Sequence, residues 1–160
     1  MEFNEIMQGF AQQINLENFT PDGDGVYRIA VDGMSIAFME HVETQMLVTW
    51  AEVCDQPPEG RDLLYKVIME AMFLGSATGG STFSIESESQ KVFLHRLDAL
   101  QLMDLEKFNA MLEKFVNILE QWRQIIADFR PVAAELEKGR QDAAAESTSF
   151  SMGGSGFMQV

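Results

Sequence analysis

The sequence predicts an α+β fold, an antiparallel five-stranded sheet with three main helices in the order α-β-β-β-α-β-β-α. Three features carry that prediction. Residues 26–40, VYRIAVDGMSIAFME, alternate around an Asp-Gly pair as a β-hairpin does. Phe83 and Ile85, then Val92 and Leu94, repeat the alternation farther on as a second hairpin. Between residues 105 and 129, apolar residues recur at steps of three and four, the period of an amphipathic helix.

Taken in order, Phe3, Ile6, Met7, Phe10 and Ile14 form one stripe of helix one within residues 2–16, and NFTPDGDG then breaks the pattern. In the hairpin, a type I′ turn at Asp32-Gly33 pairs Val31 with Met34, Ile29 with Ile36 and Tyr27 with Phe38, and this face reads as core. The opposite face carries Val26, Arg28, Ala30, Ser35, Ala37 and Met39, mostly small residues where a solvated sheet shows Lys, Glu and Thr. Either helix two or the tail of the same chain covers it, or it is open to a ligand backbone. Strand three spans residues 44–54, with Met46, Val48 and Trp50 alternating against Leu47, Thr49, Ala51 and Val53.

QPPEG ends that strand, and RDLLYKVIMEAMFL sets Leu64, Val67, Ile68, Ala71 and Met72 at helical spacing behind Pro58, which gives helix two. Tyr65, Ile68, Met69, Met72 and Phe73 give this helix apolar residues on more sides than one sheet can bury, so it is the expected contact for a second copy. GSATGGS reads as a flexible loop before the second hairpin. Helix three carries Leu105, Phe108, Leu112, Phe115, Leu119, Trp122, Ile126 and Phe129 behind an Asp104 N-cap, widened by Met111, Val116, Ile118 and Ile125. Its 25 or so residues predict a helix about 37 Å long. Pro131 is expected to interrupt it, so residues 1–130 form the domain and 131–160 a C-terminal extension. That extension holds a short solvated helix and a Ser/Gly-rich tail, STSFSMGGSGFMQV, with Phe150, Met152, Phe157 and Met158 as its apolar residues.

The net charge of −14 repels phosphate backbones and anionic lipid, which excludes nucleic acid and membrane surfaces as expected partners. A 46% hydrophobic content with 12 Phe and 11 Met suits a packed core, and the methionines suit adaptable contacts. Cys54 is the only cysteine, so no intrachain disulfide forms and a reducing compartment is expected. No apolar run reaches the length of a membrane span, and MEFNEIMQGF is acidic where a signal peptide is basic.

Catalytic and cofactor patterns are incomplete throughout. GSATGGS lacks the GK[ST] ending of a phosphate loop, and DGDG at residues 22–25 places Val26 where a calcium ligand belongs. His41, His95 and Cys54 lie in three segments with no ligand spacing, and Glu52 and Asp55 disfavour a Cys54 thiolate. The expectation is a binding protein with no enzyme activity, no cofactor and no metal.

DGVYRIAVDGMSIAF, followed by LLYKVIMEAMFLGSATGGSTFSIESESQKVFLHRLDALQLMDLEKFNAMLEKFVNILEQWR, resembles the class I chaperones of bacterial type III secretion, the Tir-chaperone-like (CesT-like) family, across about residues 2–127. The resemblance rests on element order and spacing. It implies a homodimer in the bacterial cytoplasm that binds the N-terminal, non-globular segment of a secreted effector without ATP and delivers it to the secretion apparatus. The apolar second face of the hairpin would then receive the effector by strand addition, through Val26, Arg28, Ala30, Ser35, Ala37 and Met39. The alternative is a regulatory or scaffold adaptor that binds a folded partner. The chain departs from the family pattern in its length beyond Pro131.

Overall fold

The computed structural model describes residues 2–151, with the backbone alone at 130–134, 137 and 142–151. Its elements are α1 (Phe3–Gln13), β1 (Tyr27–Val31), β2 (Met34–His41), β3 (Met46–Asp55), α2 (Arg61–Ala71), β4 (Thr82–Glu86), β5 (Lys91–Ala99) and α3 (Leu105–Ser151), with single 3-10 turns at Phe73–Gly75 and Leu100–Leu102. All strand pairs are antiparallel, in the spatial order β1-β2-β3-β5-β4. The predicted element order is therefore the observed one. Strand order, which the sequence left open, places β3 between the two hairpins, with β1 and β4 at the edges.

The first hairpin has the predicted register, Val31 opposite Met34, Ile29 opposite Ile36 and Tyr27 opposite Phe38. Asp32 and Gly33 both take positive φ, 48° and 77°, as a two-residue type I′ turn requires. A bulge between Glu52 and Cys54 shifts the β3–β5 register, and Lys91 Nζ reaches Glu52 Oε2 at 2.5 Å beside it.

All three helices pack on one face of the sheet. Phe10 of α1, Phe38 of β2 and Phe108 of α3 meet edge to face, with ring centroids 5.2 Å (Phe10–Phe108) and 5.4 Å (Phe38–Phe108) apart. Phe108, Leu112, Phe115, Leu119, Trp122 and Ile126 are buried, and Leu105 and Phe129 pack half-buried at the ends of the same seam. Asp104 caps α3, since the Lys107 N–H donates to its Oδ1 at 2.8 Å. That bond holds the Asp104 carboxyl below the usual aspartate range.

Two expectations are corrected. GSATGGS is a packed connector: Thr78 and Ser81 are buried, and Ala77 accepts a hydrogen bond from the Trp122 indole N–H at 2.8 Å. A Cβ on Gly79, whose φ is +59°, would lie 2.1 Å from Ile118 Cδ1, so α3 runs directly against the loop backbone. Pro131 does not end α3, which runs on to Ser151. One proline costs a helix about 3 kcal/mol, whereas the Ala-, Glu- and Lys-rich residues on its C-terminal side favour helix at many positions. Arg140 Nη1 of the extension lies 3.1 Å from Asp62 Oδ2 at the start of α2, an exposed ion pair. Most of the Ser/Gly-rich tail, residues 152–160, lies outside the described residues.

Candidate partner-binding surface

An edge strand leaves half its backbone groups without a sheet partner, and the side chains around β1 make that edge hospitable to another chain. In an antiparallel pair closed by a two-residue turn, the pair next to the turn is hydrogen-bonded and the next is not. Val31, Ile29 and Tyr27 therefore bond to β2, while the N–H and C=O of Arg28 and Ala30 project outward from the edge. Beneath that edge lies a groove of about 600 Å³ between β1, the C-terminal end of α1 and the N-terminal third of α3. Its apolar lining includes Phe10, Ile14, Leu16, Ile29, Leu112 and Val116, and Asn109, Glu113 and Asn117 supply polar groups. Ile14 and Leu16, just past the end of α1, are 49% and 41% exposed, unusual for large aliphatic residues with a core nearby. The start of β1 is fixed by Asp22, whose carboxylate accepts the Val26 and Asp24 N–H groups at 3.0 Å each and faces Arg28 Nε at 3.5 Å. The Val26 bond is the largest cause that holds the Asp22 carboxyl below its ordinary pKa.

The sheet face opposite the helices is a second surface. Val48 stands opposite Leu97, Trp50 opposite His95 and Glu52 opposite Phe93 across β3 and β5. Leu97 is 52% exposed, and Val48, Trp50 and Phe93 are half-buried by one another rather than by a helix. Ala37 pairs with both Arg28 and Trp50, and the Arg28 guanidinium lies 5.9 Å from the Trp50 ring, so the two long side chains close over the small one. His95 Nδ1 lies 3.2 Å from Ser84 Oγ, and burial pushes its pKa down, which leaves the imidazole neutral near pH 7.

The residues singled out in the sequence fall into three groups. Arg28, Ala30 and Ser35 are exposed on the hairpin and Met39 is half-buried, but Val26 and Ala37 are buried within the single chain. In α2, Ile68 belongs to the core, and Tyr65 and Met72 pack half-buried against it. Met69 and Phe73 are 65% and 72% exposed, and Leu74, at φ 56°, is 87% exposed beside them. Sequence reasoning missed the groove. Ile14 and Val116 carried its signal as the outermost members of two helical stripes, but each read as the margin of a core face.

Among the described residues no three His, Cys, Asp or Glu side chains gather as a metal site needs, and no helix is long and apolar enough to cross a membrane. The family model described as the Tir chaperone protein (CesT) family matches residues 5–123. No curated protein sequence matches the chain. Among solved structures, the ExsC-ExsE complex contains a chain 19% identical with a TM-score of 0.68, covering 78% of this chain and 96% of that one. A chain of the HopA1-SchA chaperone-effector complex is 8% identical with a TM-score of 0.66, over 76% of this chain and 93% of that one. A chain in the structure of the Yersinia pestis type III secretion chaperone SycH in complex with a stable fragment of YscM2 is 14% identical with a TM-score of 0.59, over 76% of this chain and 99% of that one. At these identities the likeness is one of fold.

Proposed function

The chain belongs to the Tir chaperone protein (CesT) family, and from that premise we propose that it is a non-catalytic chaperone of type III secretion. It holds the N-terminal, non-globular segment of a secreted effector in the bacterial cytoplasm until the secretion apparatus takes it. The observation that carries this reading is the groove along β1. An extended segment has unpaired backbone groups and scattered apolar side chains. The outward N–H and C=O of Arg28 and Ala30 answer the first, and the pockets around Ile14, Leu16 and Val116 answer the second. Strand addition of this kind is equilibrium binding and needs no ATP. A folded client has already paired those groups internally and gains little from an open edge.

The hairpin's exposed positions Arg28, Ala30 and Ser35 belong to the same reading, since they flank the receiving edge. Dimerisation is assigned to the end of α2, where Met69, Phe73 and Leu74 are exposed together. The test is native mass spectrometry of the protein purified gently from its own host. A dimer carrying one copy of a larger protein, whose N-terminal segment resists protease only in the complex, is the expected result. A monomer, or a partner protected across a folded domain, would overturn this reading in favour of an adaptor. Ala30→Pro removes an outward N–H while leaving the β2 ladder bonds in place. It is expected to lower client retention at least tenfold with the far-UV circular dichroism unchanged.

A further inference from the structure

We propose, on the reading of the β1 groove as the client site, that Met72 closes the β4 edge of the sheet and so confines strand addition to β1. An open sheet has two edges, and here both edge strands, β1 and β4, are five residues long. Backbone geometry alone would let an extended segment pair with either.

The Phe83 N–H donates to Met72 Sδ at 3.2 Å and therefore points away from β5. Alternation along an antiparallel pair then makes Phe83–Leu94 and Ile85–Val92 the pairs without ladder bonds. The N–H and C=O groups of Phe83 and Ile85 project from the β4 edge. A strand added to that edge would run about 4.8 Å from β4. The Met72 sulfur lies inside that distance and takes the place of the carbonyl that a new strand would set opposite Phe83. A thioether is a weak acceptor with no donor, so it fills the position without offering a strand anything to extend. Of the two outward positions of β4 this leaves Ile85, too little ladder to hold an extended chain.

The backbone around Met72 keeps its side chain at the edge. Its N–H donates to the Ile68 carbonyl at 3.1 Å at the end of α2, and its carbonyl accepts from the Gly75 N–H at 3.0 Å. Leu74 and Gly75 then turn with φ of 56° and 66°, and a Cβ on Gly75 would lie 3.2 Å from Gly80 Cα. The chain thus doubles back from α2 into β4, where Phe83 meets Trp122 of α3 edge to face with ring centroids 5.1 Å apart. At the other edge, the outward groups of Arg28 and Ala30 have the β1 groove beneath them instead of a thioether.

The test uses the full-length chain labelled with nitrogen-15 and, as probe, the peptide Lys-Val-Thr-Val-Thr-Val-Lys-amide with a nitroxide at its N-terminus. In the parent chain the probe is expected to broaden the amide signals of residues 27–31 and to leave those of 82–86 sharp. Met72→Ala is expected to raise the broadening at 82–86 at least fivefold. Adding Ile85→Pro, which removes the second outward N–H and spares the β5 ladder, should return it to the parent level. Broadening at β4 in the parent, none at β4 in Met72→Ala, or a gain that Ile85→Pro leaves in place would overturn the inference. Should Met72→Ala fail to fold, amide exchange in the parent decides: corrected for intrinsic rates, the Phe83 amide is expected to exchange at least tenfold more slowly than that of Ile85, and equal rates would overturn the cap. If the probe adds at β1 and β4 stays closed in Met72→Ala, this inference fails and the proposed function stands. If the probe ignores β1 and adds at β4 in Met72→Ala, the proposed function fails and the cap at β4 stands.

Discussion

At Gly79 one missing methyl group sets how closely α3 approaches the loop after α2. A Cβ there meets Ile118 Cδ1 at 2.1 Å and Lys114 Cε at 2.9 Å, on a backbone whose φ of +59° already favours glycine. Gly79→Ala is expected to cost about 2 kcal/mol or more in urea denaturation, well above Gly33→Ala, where the φ is also positive but the space is open. Equal losses would mean that the packing contact contributes nothing. The sequence could not reveal the contact at Gly79, because GSATGGS has the composition of a flexible loop whether or not a helix lies against it. His95 gives the pH prediction. Its folded pKa is lowered from 6.5 by burial, so below about pH 6.5 the unfolded chain takes up a proton first and stability falls as pH falls. The loss levels off once the pH passes below the folded pKa. The lowered carboxyl groups of Asp22, Glu86 and Asp104 act in a separate, more acidic window, where their stabilisation is lost as pH falls through their folded values. Unfolding free energies at pH 7.5 and 5.5 should therefore converge in His95→Gln relative to the parent chain. An unchanged difference would place the titration elsewhere.

Among the elements, α3 was the most legible and also the most misjudged. Its steps of three and four residues identified the buried seam because a helix repeats its face every 3.6 residues, whatever the tertiary context. Phe115 lies at the centre of that seam with no exposure, and Phe115→Ala is expected to cost about 3 to 5 kcal/mol. A loss below about 1 kcal/mol, measured by denaturant titration, would contradict the packing described for α3. Where the helix stops was not legible, since Pro131 is a local signal against helix and the residues beyond it outweigh that signal. The hairpin was read correctly to the residue because turn chemistry and alternation both fix register at short range. By contrast, β5 runs through Arg96 and Asp98 to Ala99, farther than alternation suggested, because those two side chains satisfy each other through a 2.6 Å bond on a mostly buried face.

Among the described residues, three surfaces remain apolar after the helices have covered one face of the sheet: the groove along β1, the exposed end of α2 and the opposite sheet face around Trp50 and Leu97. With the dimer contact proposed for the end of α2, Phe73→Glu is expected to shift sedimentation toward the monomer while leaving the far-UV spectrum unchanged, since Phe73 is 72% exposed in the single chain. A persistent dimer would move the interface to another surface, with the sheet face around Trp50 and Leu97 the next to test. The groove and the α2 end draw on different segments, so Phe73→Glu should not alter strand addition at β1 other than through loss of the second copy.

The sequence by itself determined the kinds and order of the elements, the first hairpin's register and the buried stripe of α3, because each depends on periodicity or turn chemistry within a few residues. Tertiary structure alone decided the strand order, the packing of the Gly-rich loop and the fate of the hairpin's second face. Ala37 disappears there because Arg28 and Trp50, distant in sequence, meet over it. It also assembled the groove, whose walls come from the end of α1, the edge of β1 and the N-terminal third of α3. No local pattern can announce such a site, since each wall in isolation looks like the margin of an ordinary core.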